Sequence, residues 1–267
     1  MDRNEIIESA IKFTHGSPKN YIDGDIAIDP DFIGMKLFEE PIFAFGPADD
    51  DLYTKYKSPD IIGDHFLTPY EWLPNARTVI SFFLPYTDRI KHANARDCRW
   101  PADEWLHGRI EGQSFVMALC DHLKTLLSKA GYETIVPSID KRFQGGTGIN
   151  KFTSNWSERH IAFACGLGTF GLSKGLITKK GMSGRFGSVV TELKLSSDVR
   201  DYSDVYEYCT MCGSCIALCP ANAISFSEGK KHPPCSDFLD TVLEKHKPRY
   251  GCGKCQVNVP CESKKPD

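Results

Sequence analysis

Cys209, Cys212, Cys215 and Cys219, followed by Pro220, form a C-x2-C-x2-C-x3-C-P run. Thiolates at this spacing on a tight turn reach the corners of a 4Fe–4S cube. Three ligate one cube; the fourth points away, and the proline ends the loop and sends that thiolate to a second cube. A second set of cysteines must then exist, and Cys235, Cys252, Cys255 and Cys261 supply it. The competing chemistry is a structural zinc site built from paired C-x-x-C units, but zinc sites rarely use successive x2 spacings followed by x3-C-P. The crossover of two-cluster ferredoxins predicts Cys209, Cys212, Cys215 and Cys261 on cluster one. Cys219, Cys235, Cys252 and Cys255 are then expected on cluster two. The second set departs from the ferredoxin run, because Cys235 lies far upstream and five residues separate Cys255 from Cys261.

The rest of the composition fits a body that carries this unit. A chain of 267 residues, 41% of them apolar, accommodates one domain with a full core plus a small appendage. Lys and Arg number 32 against 35 Asp and Glu, so the net charge of −3 gives no general attraction to nucleic acid. No apolar stretch approaches a membrane span, and the N-terminus shows neither a secretion signal nor a twin-arginine pair. The expectation is a soluble, cytoplasmic protein with no membrane partner. Eleven cysteines in such a chain argue for metal ligation over disulfides, and eight of them follow residue 208. Cys98, Cys120 and Cys165 read as small core residues.

The elements that position the cysteines follow from hydrophobic spacing. Residues 4–14 carry Ile6, Ile7, Ala10, Ile11 and Phe13 at helical intervals, and 111–131 carry a longer stripe stopped by Gly131. Thr78–Leu84 is a continuous apolar run, the pattern of a central strand buried on both faces, and Tyr132–Val136 reads as another strand. Residues 187–195 alternate as a half-buried strand. From 15 to 75, glycine and proline punctuation reads as surface-wrapping loops with short helices, and Asp49–Asp51 as a solvated acidic turn. Asn155-Trp-Ser-Glu158 reads as a capping-box-like start of a helix closed by Gly166. Gln144–Ile149 reads as a mobile glycine loop. The polar stretch 196–208 marks a boundary between domains 1–200 and 201–267, and residues 262–267 read as a frayed tail.

Taken together, these pieces have a family look. Trp72-Leu-Pro-Asn-Ala-Arg-Thr-Val-Ile-Ser-Phe-Phe-Leu-Pro-Tyr86, Glu158-Arg-His-Ile-Ala-Phe-Ala-Cys-Gly-Leu-Gly-Thr-Phe-Gly171, Leu176-Ile-Thr178 and Gly187-Ser-Val-Val190 resemble epoxyqueuosine reductases. So do Cys235-Ser-Asp-Phe-Leu239 and Tyr250-Gly-Cys-Gly-Lys-Cys255-Gln256. The match runs from about 70 to 261, and the order of the pieces with the eight cysteines makes it specific. The resemblance implies an α+β fold: an α/β sandwich similar to nitroreductase and cobalamin-processing folds, then a bacterial ferredoxin-like double 4Fe–4S domain. It also implies a cobalamin fed by two 4Fe–4S clusters, as in the related reductive dehalogenases. Gly166, Leu167, Gly168, Thr169, Phe170 and Gly171 would then line the corrin pocket, because a macrocycle needs bare backbone against it.

Two departures shape the functional expectation. The family's aspartate proton donor lies about six residues before the glutamate that Glu158 matches; here Phe152 stands there. The acids near the proposed pocket are Asp140 and Glu158, the candidates for protonating a reduced substrate. Helix capping explains Glu158 as well, and Arg159 and His160 have equally plain readings as an ion-pair partner and a satisfied core or surface histidine. The family's tRNA-gripping helical tail is also missing, so tRNA is not the expected substrate. The readings are a cobalamin-dependent reductase of a small molecule, an electron-transfer protein reducing a partner such as a corrinoid protein, or clusters feeding a bound FMN. Each takes electrons from a donor such as ferredoxin or flavodoxin.

Overall fold

The computed structural model describes residues 1–146 and 152–267. Its centre is an antiparallel sheet in the order β1 (Ile42–Pro47), β2 (Thr78–Pro85), β6 (Gly184–Thr191), β3 (Thr134–Ile135). β2 and β6 pair along their full lengths, from Thr78 opposite Thr191 to Pro85 opposite Gly184. Every residue of β2 is buried, as its unbroken apolar run predicts. Alternate side chains serve two cores: Val79 and Phe83 join one, Ile80, Phe82 and Leu84 the other.

Helices cover both faces. α1 (Arg3–Gly16) and α5 (Asp103–Lys129) pack on one side with Ile6, Ala10, Phe115, Leu119 and Leu123. α6 (Glu158–Cys165) packs on the other with Ile161, Ala162 and Cys165. Short helices α2 (Asp51–Lys55), α3 (Pro69–Trp72) and α4 (Asp88–Ala95) lie in the connections, and β4 (Gly168–Phe170) pairs with β5 (Leu176–Thr178). The cysteine-rich segment adds α7 (Ser214–Ala217), the hairpin β7 (Ile224–Ser225) and β8 (Gly229–Lys230), and α8 (His232–His246).

Several boundaries differ from the pattern in the sequence. α5 starts eight residues before the expected 111, because Trp105, Leu106 and His107 are buried while Gly108 and Gly112 interrupt the stripe. Gly108 is needed there: a Cβ would stand 2.8 Å from the Tyr86 ring, whose hydroxyl donates to Gly108 O at 2.8 Å. β6 lies at 184–191 instead of 187–195, extended by pairing with the end of β2. β1 falls in a region read as loops; Pro41, Gly46 and Pro47 hide a strand that proline tolerates because it is an edge. Asp50 caps α2 and pairs with Arg200. Cys120 and Cys165 are buried as expected, but Cys98 is exposed.

The C-terminal segment is anchored to the body. Met182 N donates to Cys261 O at 2.9 Å, and Lys91 Nζ donates to Ser263 Oγ at 2.8 Å, so the start of the tail is pinned where fraying was expected. Farther round, buried His107 bonds Glu111 at 2.9 Å through Nδ1 and receives Ile28 N at 3.1 Å through Nε2. Arg249 Nη1 donates to the same Glu111 carboxylate at 2.5 Å. That network ties together the N-terminal wrap, α5 and the segment leading to Cys252. Burial acts to raise the Glu111 pKa, but the bonds from His107 and Arg249 hold it below the usual range.

Candidate redox site

The eight late cysteines separate four and four. Cys209, Cys212, Cys215 and Cys261 line a small cavity that Gly171, Leu172 and Ile177 close from the body. Cys219, Cys235, Cys252 and Cys255 line one side of a larger cavity of about 370 Å³. Each set contains a Cys-Gly-x-Cys step whose glycine is left-handed and caps a short helical turn: Gly213 at φ 77° and Gly253 at φ 69°. That conformation turns the chain sharply enough for both flanking thiols to face the same void.

Electrostatic coupling runs within each set and between them. Burial, then Cys209 and Cys215, push the Cys261 thiol up to about 12. Burial, then Cys255 and Cys235, push Cys252 to about 12. Cys215 rises to about 11 through burial and then Cys255, so the two sets adjoin. Eight thiols so placed become thiolates when a cationic core compensates them. Among the described residues no three His, Cys, Asp or Glu side chains close tightly enough to hold a single ion.

The far side of the larger cavity is charged. Arg109 comes from α5, Glu158 and Arg159 from the start of α6, and Arg185 from β6, with Tyr86 and Trp105 between them. Ser157 occupies the cap of α6 without a capping bond, so Glu158 is the first helical residue and not the third as the capping-box reading supposed. Its carboxylate turns to the sheet, where Oε2 accepts from Ser188 Oγ at 2.6 Å and Oε1 is buried with no close hydrogen bond among the described residues. Burial raises its pKa to about 7, against the lowering effect of Ser188 and Ser138. It is an acid that can hold or release a proton near neutrality.

Other predicted residues lie elsewhere. Asp140 bonds Arg142 at 2.9 Å, which holds its pKa below the usual range, and it does not line this cavity. None of Gly166, Leu167, Gly168, Thr169, Phe170 and Gly171 lines it either. Gly166 closes α6, and Gly168 packs so tightly on β5 that a Cβ would stand 1.9 Å from Ile177 O. Thr169 accepts from Tyr208 N at 2.8 Å, and Gly171 faces the first cysteine set. Gly168 and Gly171 therefore serve close packing on β5 and beneath that set, while Gly166 lies against Asp198 and Arg200. Phe170 lines a second cavity, about 440 Å³, with Phe152, Phe163, Ile61 and His160. Arg159 borders both cavities, held by a bond to Lys174 O at 3.0 Å. His160 bonds Ser157 Oγ at 2.8 Å, and burial lowers its pKa to about 4, so it is a satisfied neutral histidine. The Gln144–Ile149 loop lies partly outside the described residues.

A 4Fe–4S binding domain matches residues 202–225. No curated protein sequence matches the chain. Among solved structures, an epoxyqueuosine reductase from Bacillus subtilis superposes with a TM-score of 0.54 at 19% identity, covering 99% of this chain and 69% of that one. An epoxyqueuosine reductase with an epoxyqueuosine-modified tRNA stem loop superposes at 0.56, with 19% identity over 99% of this chain and 69% of that one. A catabolic reductive dehalogenase superposes at 0.55, with 15% identity over 98% of this chain and 37% of that one. The fold is that of epoxyqueuosine reductases and reductive dehalogenases.

Within this reductase fold, the unpartnered Arg185 Nε donor and Glu158 Oε1 acceptor face one cavity beside the second cysteine set. A corrin edge carries amides that offer both an acceptor and a donor, so these residues fit it. At about 370 Å³ the cavity lies at the lower end of small-molecule sites, room for an edge of a corrin. Among the described residues, no helix is long and apolar enough to cross a membrane.

Proposed function

We propose that the chain is an iron–sulfur oxidoreductase holding two 4Fe–4S clusters and a cobalamin that reduces a small molecule. Cys209, Cys212, Cys215 and Cys261 would hold cluster one, and Cys219, Cys235, Cys252 and Cys255 cluster two. The cavity lined by Arg109, Glu158, Arg159 and Arg185 would hold the cobalamin. When bound, the clusters supply single electrons and the cobalamin a reducing cobalt. The observation that carries this reading is the sharing of one cavity by the second cysteine set and a carboxyl group poised near pH 7.

The residues of this chain then have distinct tasks. Ser188 holds Glu158 by its Oε2 at the cavity wall, and Glu158 would supply the proton that accompanies reduction. Tyr86 and Trp105 wall the cavity on the α5 side. Electrons would come from a donor such as ferredoxin or flavodoxin. The structural neighbours act on epoxyqueuosine in tRNA or as dehalogenases; with a net charge of −3 and Phe152 lining the second cavity, we place this chain's substrate among small molecules instead.

Phe152 favours a second reading, delivery of electrons to a corrinoid protein, because its side chain cannot donate a proton. Anaerobic purification with iron quantification, followed by gel filtration with hydroxocobalamin and separately with FMN, tests both. The first reading expects one retained cobalamin per chain. Passage of cobalamin unbound overturns it, and retention of FMN would reassign the cavity to a flavin.

A further inference from the structure

Arg109, Arg159 and Arg185 converge on the cavity beside the second cysteine set from three separate elements. Four arginines elsewhere meet carboxylates: Arg3 with Asp198, Arg142 with Asp140, Arg200 with Asp50 and Arg249 with Glu111. Among the described residues the cavity arginines have only neutral partners. Arg109 donates to the Tyr250 hydroxyl at 2.8 Å, Arg159 to Lys174 O at 3.0 Å and Arg185 to the Gln113 side-chain oxygen. Arg185 Nε is buried and donates to nothing. Burial and then the neighbouring Arg185 charge lower the Arg109 pKa.

Bringing three cations together without a counter-charge costs the fold free energy. The nearby acid does not supply that charge dependably, because burial keeps Glu158 protonated up to about pH 7. Cluster-two thiolates offset Arg159, whose charge is felt by Cys255 and Cys235. The interactions of Arg109 include no cysteine; they are with Arg185, Tyr250, Tyr86 and Arg159. A charge remains unmatched on the side of the cavity away from the cysteines. A guanidinium fork with a free Nε pairs best with a carboxylate or phosphate, which accepts two parallel hydrogen bonds.

We propose that Arg109 and Arg185, with Arg159 at the edge, form an anion site that takes a carboxylate or phosphate group. The site deepens the reading above, since it makes the bound small molecule an anion. Its oxygens would accept from Arg185 Nε while Glu158 faces the remainder of the molecule. The anionic group belongs either to the substrate or to a cofactor phosphate.

The test uses the cluster-loaded full chain, purified anaerobically without corrinoid or flavin. Calorimetric titration with inorganic phosphate and with benzoate is expected to give saturable binding that weakens with added sodium chloride. Arg185→Gln and Arg109→Gln should each weaken it about tenfold or more, the loss of a charge-assisted bond. Arg109→Lys, which keeps the charge and loses the fork, should recover part of that loss. Arg142→Gln, at a surface ion pair, should change nothing. Absence of saturable binding by either anion, or binding by both glutamine variants as tight as that of the unaltered chain, overturns the site. Repeating the titration after saturation with hydroxocobalamin or FMN separates the sources: anion binding persists if the group is the substrate's and disappears if it is the cofactor's. Failure to bind cobalamin with anion binding intact sinks the corrinoid reading and leaves the anion site standing.

Discussion

Ser188 Oγ donates to Glu158 Oε2 at 2.6 Å and accepts from Trp156 Nε1 at 2.9 Å, so a residue of the central sheet fixes the one acid on the cavity wall. The chain of donors runs from a fully buried indole to a carboxyl group whose other oxygen is buried too. Glu158 is protonated in the folded protein up to about pH 7, whereas the unfolded chain releases that proton near the ordinary carboxyl value of 4.5. The folded state therefore binds the extra proton between those values. Its stabilising contribution is complete below pH 4.5, declines as the pH rises and is lost above 7, at most about 3 kcal/mol across the window. Glu158→Gln should flatten the stability profile over that range in urea unfolding at pH 5 and 8. An unchanged slope in the variant would show that Glu158 does not carry this proton.

The partition of the cysteines makes a quantitative expectation. Cys219→Ala and Cys261→Ala should each lower the iron content from about eight to about four atoms per chain, by removing one ligand from one cube. Cys120→Ala, whose thiol is buried in the core, should leave the iron unchanged. Double substitution at Cys219 and Cys252 should cost no more iron than Cys219→Ala alone, whereas Cys219 with Cys261 should remove nearly all. Iron assays on anaerobically reconstituted protein distinguish these outcomes.

Local pattern carried the cysteines, β2 and the site of Glu158 within the sequence itself. A C-x2-C-x2-C-x3-C run and an unbroken apolar strand are short-range signals that tertiary context does not rewrite. Arg109 and Arg185 were not legible, because they are 76 positions apart and meet only when α5 packs across β6. A weak hint existed in Gly184-Arg-Phe-Gly187, a charge beside glycines where an apolar strand begins. The glycine segment 166–171 shows the opposite failure: glycine density reports close approach without saying to what. Here the close neighbours are β5 and the first cysteine set.

Gly253 joins the second cysteine set to the body by contact. A Cβ at this position would stand 1.9 Å from the Trp105 ring, and φ is +69°. Gly253→Ala must strain the backbone by about 1 to 2 kcal/mol and displace a ring that walls the cavity, at a further cost of about 1 to 3 kcal/mol. The expected outcome is a lower melting temperature together with loss of cluster-two iron. Gly131→Ala, also at positive φ but with no atom near its Cβ, should lower stability without touching the iron. Equal iron loss in both variants would mean that the effect is global unfolding.

Arg159 adds positive charge beside the second cysteine set, where Lys230 acts on Cys255 more strongly. Its interactions include Cys255 and Cys235, while those of Cys261 are with Cys209, Cys215 and Cys212. A cation near a cluster favours the reduced, more negative form, so Arg159→Gln should make cluster two harder to reduce. A unit charge near a partly solvated site acts with about 1 to 2 kcal/mol. For a one-electron couple that is a downward shift of roughly 40 to 90 mV. Electron paramagnetic resonance during a redox titration resolves the two clusters, and cluster one should keep its potential. A common shift of both, or none in either, would mean that Arg159 does not govern the charge at the second set.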